Sequence, residues 1–206
     1  MATNVYVDAF NLYYGSLKNT PYKWLDLGEL CRLLLPGHTV QRIRYFTSII
    51  ESRPGDPSQQ QRQQAYFRAL QTIPGLTIHF GSFMTNAVRL PLARPEAGRP
   101  RTVEVLRTEE KGSDVNLATL LLVDGFRADY GTAVVISNDS DLKGPIQAVR
   151  EELGLPVGVV IPTPRVRGSA LPADFYRRIR RGVLATSQFP QALTDANGVI
   201  RRPRSW

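Results

Sequence analysis

The sequence predicts an α/β fold of three layers, in which helices flank a mainly parallel, Rossmann-like central sheet. The first observation is the run Thr132–Ile136, five small and mostly β-branched residues, which is typical of a strand buried on both faces. The second is the helical spacing of apolar residues that follows at 142–153, after a short polar cluster. The third is the length, because 206 residues suit one domain that can bury a full core without disulfides.

The first half of the chain is predicted to alternate between strands and helices. A strand pattern begins almost at the N-terminus, at 5–7, and ends at Asp8. Amphipathic spacing predicts two helices, and each is followed by a Pro-Gly pair, which is a plain stop signal. The helices are expected at 24–35 and 58–73, and the further strands at 41–50 and 76–84.

The second half continues this pattern after an irregular stretch. Residues 85–101 contain three prolines and several arginines, so we expect an exposed and flexible excursion, with a hairpin as an alternative form. Strands are then expected at 102–107, 132–136 and 156–161, and helices at 115–126, 142–153 and 170–184. The tail is predicted to pack back onto the core through Phe189, Leu193, Ile200 and Trp206.

The positive charge is concentrated at the C-terminal end of the chain. The net charge is +8, and residues 165–206 carry nine arginines against two acids. Guanidinium groups bind phosphate in a bidentate manner, so a polyanionic partner, most commonly nucleic acid, is the natural inference. Two alternatives stay open, because a GC-rich genome also raises arginine usage and residues 177–181 would suit a solvated helix face. We expect one domain over 1–206, in which 165–206 forms a basic helix and tail on the core.

The cysteine and histidine residues exclude several kinds of site. Cys31 is the single cysteine and lies in an apolar helical pattern, which favours a packed core thiol and excludes disulfide scaffolds and cysteine-based zinc sites. The two histidines, His38 and His79, do not assemble a metal site or a catalytic triad. The sequence has no signal-peptide pattern and no apolar run of bilayer length, so we expect a soluble, cytoplasmic protein.

Carboxylates follow two predicted strands and stand at the start of one predicted helix. Asp139 and Asp141 come directly after the strand at 132–136, Asp8 ends the first strand, and Asp114 begins a helix. If the two strands are neighbours in a parallel sheet, these acids meet at one edge. Each acid also has a structural explanation as a helix cap or as a partner of the helix dipole. Like charges destabilise a fold unless a cation compensates them, and an all-oxygen donor set favours Mg²⁺ or Mn²⁺.

Three motifs of the chain occur in the same order and spacing in a known family. They read Val-Asp8-Ala-Phe-Asn11-Leu-Tyr, then Glu-Glu-Lys111-Gly-Ser-Asp114-Val-Asn-Leu-Ala, then Val-Ile-Ser137-Asn-Asp139-Ser-Asp141-Leu. With these motifs the chain resembles the NYN domains, in their LabA-like branch, of the PIN-like nuclease superfamily. The resemblance covers essentially the whole chain. Family members more often have Gly where this chain has Ala9 and Asn138.

The resemblance implies a PIN-like fold and a metal-dependent (endo)ribonuclease that hydrolyses phosphodiester bonds. The implied catalytic residues, which would also hold Mg²⁺ or Mn²⁺, are Asp8, Asp114, Asp139 and Asp141. The implied accessory polar groups are Asn11 and Ser137. The residues expected to bind flanking phosphates, with an affinity that falls as salt rises, are Lys111, Arg177, Arg178 and Arg181. The expected partner is RNA, while single-stranded DNA as a substrate and a homo-oligomer stay open.

Two other functions fit the sequence in part. A non-catalytic RNA-binding or regulatory module could keep the metal site as a structural or sensing feature, although the intact acids argue against it. A phosphatase of the haloacid dehalogenase type is also an α/β protein with aspartates after its strands. That chemistry resembles a nucleophilic Asp followed two residues later by a second Asp, whereas this chain has Phe10 at that position.

Overall fold

The central feature of the structure is a six-stranded sheet in which every strand runs parallel to its neighbours. The computed structural model describes residues 2–52, 55–95, 98, 100–163, 171–204 and 206. In chain order, the strands are β1 (Ala2–Asp8), β2 (Thr39–Thr47), β3 (Leu76–Phe80), β4 (Ser82–Pro91), β5 (Thr102–Lys111), β6 (Thr132–Ile136), β7 (Val157–Ile161), β8 (Phe175–Arg178), β9 (Ala192–Asp195) and β10 (Gly198–Arg201). The helices are α1 (Ala9–Leu12), α2 (Leu27–Leu34), α3 (Gln59–Leu70), α4 (Ser113–Phe126), α5 (Lys143–Glu151) and α6 (Arg181–Thr186). A π-helical turn, Tyr13–Leu17, follows α1, and a 3₁₀ turn, Ser140–Leu142, precedes α5.

The order of strands in the sheet is β3-β2-β1-β6-β7-β8. Strand β1 pairs with β2 and β6, so Val5 lies opposite Ile43 on one side and Val134 on the other. All residues of β6 and β7 are buried, as expected for strands covered by helices on both faces. Because the strands are parallel, their carboxyl ends meet at one edge. The predicted three-layer α/β fold is confirmed.

Two apolar clusters, one on each face of the sheet, form the core. Helices α2 and α3 belong to one cluster, and α4 and α5 belong to the other. Cys31 is buried in the first cluster, where burial raises the pKa of its thiol to about 12, so the predicted core thiol is confirmed. The tail returns to the same cluster with Phe189 and Ile200 buried and with Leu193 and Trp206 packed against it, as predicted. Among the helices of the described ranges, none combines the length and the apolar composition needed to span a bilayer.

The stretch predicted as one strand at 76–84 is divided between two sheets. Strand β3 ends at Phe80, and β4 pairs with β5 in an antiparallel hairpin that extends from Ser82 opposite Lys111 to Pro91 opposite Thr102. The break falls at Gly81, where a Cβ atom would lie 2.5 Å from the Lys111 carbonyl oxygen. A close approach of this kind requires glycine. The hairpin alternative for 85–101 is therefore correct, although Glu96, Ala97 and Arg99 lie outside the described residues.

The prediction of an arginine-rich helix at 170–184 is wrong. Residues Phe175–Arg178 form the edge strand β8, and only Arg181–Thr186 is helical. Gly158 of β7 is the partner of Phe175 in the sheet, and the Phe175 ring packs directly against it. The two are so close that a Cβ atom at position 158 would clash with the ring. This contact favours strand pairing over the helical preference of arginine, and charged side chains are typical of an edge strand. The start of the predicted helix, together with the rest of 164–170, lies outside the part that the structure describes.

A buried ion pair attaches α4 to the sheet. The Arg44 guanidinium on β2 donates two hydrogen bonds to the Asp124 carboxylate, from Nε to Oδ2 at 2.6 Å and from Nη2 to Oδ1 at 2.8 Å. The Tyr6 hydroxyl on β1 donates to the same Oδ2 at 2.7 Å. The side chains of Arg44 and Asp124 are only 11% and 4% exposed. Since both carboxylate oxygens have partners, the buried charge of Asp124 is compensated.

Replacing Asp124 by Asn is expected to lower the free energy of unfolding by about 3 kcal/mol, because Arg44 is then left buried without a carboxylate. Urea unfolding at pH 7 measures the change. The matched control is Asp129→Asn, which removes the carboxylate partner of Arg42 at a more exposed position and is expected to lower it by less than about 1 kcal/mol. Equal losses in the two variants would contradict the prediction.

Candidate functional site

Three of the four predicted carboxylates, from three separate elements, line one cavity at the carboxyl edge of the sheet, which we call the acidic cavity. Asp8 is the last residue of β1, Asp139 follows β6, and Asp114 lies in the first turn of α4. The acidic cavity has a volume of about 500 Å³. Asp8 and Asp139 meet there because β1 and β6 are neighbours in the sheet. Asp114 joins them because α4 packs against β1 and β2.

Asp8 is held rigidly by its neighbours. Its side chain is buried, Oδ1 accepts a hydrogen bond from the Asn11 backbone at 2.9 Å, and Oδ2 accepts one from the Ser137 hydroxyl at 2.8 Å. Burial raises the pKa of Asp8, and these two hydrogen bonds oppose the shift. The Asn11 side chain in turn accepts from the Asn138 backbone at 3.1 Å. The predicted accessory groups, Asn11 and Ser137, therefore connect the end of β1 to the loop after β6.

Asp114 has the most strongly perturbed carboxyl group of the site. Its pKa is raised to about 6, first by burial and then by the negative charges of Asp8, Asp139, Glu110 and Asp141. A carboxylate whose ionisation is opposed by its neighbours lies in a region of uncompensated negative charge. None of the described residues that line the acidic cavity is Lys or Arg.

Asp141 is placed differently from the other three predicted acids. It is exposed and does not belong to the residues that line the acidic cavity. Its negative charge nevertheless contributes to the raised pKa of Asp114. Its backbone N–H donates to Asp139 Oδ1 at 3.0 Å, so Asp139 caps the 3₁₀ turn. Asp139 therefore caps the 3₁₀ turn and also lines the acidic cavity.

Sequence reasoning missed Glu110. This residue lies near the end of β5 and lines the acidic cavity, where its carboxylate accepts from the Ser48 hydroxyl at 2.7 Å and from the Ser113 hydroxyl at 2.8 Å. The available signal was the pair Glu109-Glu110, which only Lys111 separates from the Gly112-Ser113 turn. The strand prediction ended at 107 and so did not bring Glu110 to the sheet edge.

Aromatic side chains form another part of the wall that the sequence did not predict. Phe10, Tyr14 and Phe83 all line the acidic cavity. The Phe10 and Phe83 rings meet edge to face, with centroids 6.0 Å apart, and so pack the β4–β5 hairpin against α1. Tyr14 is exposed to 62% of its surface, which makes its ring available to a ligand.

The four cations predicted to bind phosphate are not gathered at the acids. Lys111 is exposed and pairs with Glu109 at 2.8 Å, and the Arg177 guanidinium lies 5.2 Å from the centroid of the Phe175 ring. Arg178 is exposed at the end of β8. Arg181 lines a second cavity that adjoins the acidic cavity.

The chemistry of the donor set fits a hard divalent cation. Asp8, Glu110, Asp114 and Asp139 offer carboxylate oxygens, and neither Cys nor His lines the cavity among the described residues. Mg²⁺ and Mn²⁺ prefer such oxygen donors. As placed, however, no three His, Cys, Asp or Glu side chains of the described residues form a group that could hold a metal ion.

A model of the NYN domain matches residues 2–174. The chain belongs to the NYN domain family. This result confirms the family and its place in the PIN-like nuclease superfamily, while the LabA-like branch stays a prediction. Proteins of this family generally use divalent metals, which agrees with the donor chemistry of the acidic cavity.

A curated protein and a solved structure resemble this NYN domain protein. The curated relative is 6-hydroxy-3-succinoylpyridine 3-monooxygenase HspA of Pseudomonas putida, which is 33% identical over 238 aligned positions that cover 100% of this chain and 75% of the relative. The solved structure is that of a protein of unknown function from Vibrio parahaemolyticus, with a TM-score of 0.55 and 15% identity over 87% of this chain and 93% of that chain. At that identity the likeness concerns the fold alone.

The variant Asp114→Asn is expected to raise the free energy of unfolding at pH 7.5, in EDTA, by about 1 kcal/mol, a value reduced for partial exposure. Because the pKa of Asp114 is raised in the folded protein, ionisation of Asp114 destabilises the fold, so the wild type loses stability as the pH rises from about 4 to about 6. The advantage of the variant should therefore be absent below pH 4. Urea unfolding between pH 3.5 and 7.5 measures it.

The control for this prediction is Asp174→Asn. The Arg150 guanidinium lowers the pKa of Asp174, so its ionised form stabilises the fold and the variant should lose stability at pH 7.5. A destabilised Asp114→Asn protein with no dependence on pH would contradict the repulsion described for the site.

Proposed function

We propose that this protein is a metal-dependent nuclease that hydrolyses phosphodiester bonds, with RNA as the expected substrate. The observation that supports this proposal is the convergence of Asp8, Asp114 and Asp139, from three elements, on one cavity that has no cation among its described lining residues. Membership of the NYN family agrees with the proposal, since the superfamily contains nucleases. A non-catalytic RNA-binding module would not need acids placed so that burial and mutual repulsion raise the pKa of Asp114.

Asp8, Asp114 and Asp139 would hold Mg²⁺ or Mn²⁺, with Glu110 and Asp141 as further acids beside them. When bound, the cation supplies Lewis acidity and lowers the pKa of a water molecule. Asp8 is oriented by Ser137 and by the Asn11 backbone, so its carboxylate does not have to reorganise when the site is filled. The raised pKa of Asp114 means that a compensating charge is more favourable here than at an ordinary surface acid.

The exposed cations would contribute affinity rather than chemistry. Lys111 ends β5, Arg177 and Arg178 end β8, and Arg181 begins α6, and each would offer a charge to the phosphates on either side of the scissile bond. Such contacts position a strand without reading its sequence, and their contribution falls as salt rises.

A second candidate is a monooxygenase that acts on a small hydroxylated pyridine. It is favoured by the name of the relative HspA, which aligns with the whole chain. A third cavity of about 170 Å³, lined in part by Tyr45, Tyr66 and Trp206, adjoins the acidic cavity at Phe10 and Tyr14 and would suit a single aromatic ring. Monooxygenation transfers one oxygen atom of O₂ to the organic substrate and reduces the other to water with two electrons and two protons, so an external reductant is required.

The nuclease proposal predicts that the purified protein cleaves 5′-labelled single-stranded RNA in Mg²⁺ or Mn²⁺ and leaves it whole in EDTA. Asp8→Asn and Asp139→Asn should each reduce the rate on the order of 100-fold, since each removes a carboxylate from the cavity. Asp141→Asn should have a smaller effect, because Asp141 is exposed outside the cavity. A matched DNA strand reports the preference between the two nucleic acids.

The control is Asp195→Asn. This substitution removes an acid of the C-terminal hairpin that pairs with Arg68 of α3. It should cleave at the wild-type rate. Cleavage that survives in Asp8→Asn would point to a contaminating nuclease. RNA that is bound but left whole would favour the non-catalytic module.

The monooxygenase candidate predicts uptake of O₂ when 6-hydroxy-3-succinoylpyridine and a reduced nicotinamide or flavin are added to the protein. An oxygen electrode and mass spectrometry of the product, which should contain an atom from ¹⁸O₂, measure the reaction. Absence of labelled product with every reductant would leave the nuclease as the single supported enzyme. Labelled product together with intact RNA would replace the nuclease proposal.

A further inference from the structure

A second cavity, of about 650 Å³, adjoins the acidic cavity and differs from it in charge; we call it the basic cavity. The two cavities share Asn11 and Tyr14 as lining residues. Lys18 and Arg181 line the basic cavity, and none of its described lining residues is Asp or Glu. One groove therefore has an acidic half and a basic half, with Tyr14 between them.

Aromatic rings orient both cations of the basic cavity. The Arg181 guanidinium lies 6.0 Å from the centroid of the Tyr22 ring, and its Nε donates to the Tyr22 hydroxyl at 3.3 Å. The Lys18 Nζ atom lies 4.9 Å from the centroid of the Tyr14 ring. These contacts position the charges without neutralising them, because the rings carry no net charge. Both cations stay available to an anionic ligand.

The floor of the basic cavity is preformed. It is built by the π-helical turn Tyr13–Leu17, which packs on the residues that follow β7. The Ser16 hydroxyl donates to the Pro162 carbonyl, and a Cβ atom on Gly15 would lie only 2.9 Å from the Thr163 hydroxyl oxygen. Single π-helical turns are frequent at functional sites.

We propose that the basic cavity is an oxyanion subsite, which binds a phosphate or carboxylate group of a substrate whose reacting bond lies in the acidic cavity. The proposal rests on the proposed function only in placing the reaction there. A volume within the range of about 300–1,000 Å³ for ligand pockets exceeds what one oxyanion fills, so the anion arrives attached to a sugar or a ring. A nucleotide phosphate and the carboxylate of a small aromatic acid share this chemistry.

The test measures binding by calorimetry in EDTA, so that no turnover is needed. One arm compares uridine 5′-monophosphate with uridine, and the other compares 6-hydroxy-3-succinoylpyridine with 2-hydroxypyridine, which has no carboxylate. The wild type should prefer the anionic member of at least one pair by about tenfold. Arg181→Gln and Lys18→Gln should each remove most of that preference, and added salt should reduce it.

Arg127→Gln is the matched control, because it removes the same charge from an exposed site at the end of α4 that does not line the basic cavity. It should bind like the wild type, and thermal unfolding shows that all variants are folded. A preference confined to the first pair identifies phosphate as the source, and one confined to the second identifies a carboxylate.

The proposal is overturned if neither pair shows a preference, if no probe binds, or if Arg127→Gln weakens binding as much as Arg181→Gln. Its failure can be told from that of the nuclease. RNA cleavage without anion preference removes the subsite alone, whereas anion preference without cleavage removes the nuclease alone.

Discussion

The site depends on how α4 is held against the sheet, and the Arg44–Asp124 ion pair is the interaction that holds it. The pair joins the C-terminal half of α4 to β2, and the Tyr6 hydroxyl extends it to β1. Asp114 begins the same helix, and Asp8 ends β1. One buried network therefore fixes the spacing of two acids that repel each other. Because its polar atoms are satisfied, it can oppose that repulsion from within the core.

The repulsion among the acids explains the division of the groove. Asp8, Asp114, Asp139 and Glu110 share one cavity, and burial together with the neighbouring negative charges raises the pKa of Asp114. The cations Lys18 and Arg181 line the basic cavity on the other side of Tyr14, where tyrosine rings orient them. None of the described residues that line the basic cavity is Asp or Glu. A substrate that spans this groove would bring its anion to the basic half and its reacting bond to the acidic half. The charge pattern thus constrains the orientation of a ligand more than its identity.

Membership of the NYN family fixes the fold more firmly than it fixes the reaction. The family lies in a nuclease superfamily, yet the relative that aligns with the whole chain is named as a monooxygenase. A fold can support unrelated chemistry when the loops and cavities around a common edge differ. In this protein, the acidic edge suits a cation, and the surfaces beside it that a substrate would contact are the aromatic residues Phe10, Tyr14 and Phe83 and the basic cavity. Substrate binding therefore discriminates between the two candidates better than the acids do.

Local patterns in the sequence were sufficient for the sheet and for two of its acids. The run Thr132–Ile136 was identified to the residue because β-branched burial and the polar residues that follow it are local properties. Asp8 and Asp139 could be predicted to meet because parallel strands present their ends at one edge. Glu110 could not be found in this way, since it depends on the register of the β4–β5 hairpin and on Ser48. The residues of β8 were wrongly predicted to be helical, because the contact that makes them a strand, Phe175 on Gly158, joins parts of the chain that are not adjacent in sequence. The sequence by itself determined the fold class, the main strands and the acids that end them. Tertiary structure alone decided that Lys18 and Arg181 line one cavity beside those acids, because periodicity reports local burial and not which distant side chains meet.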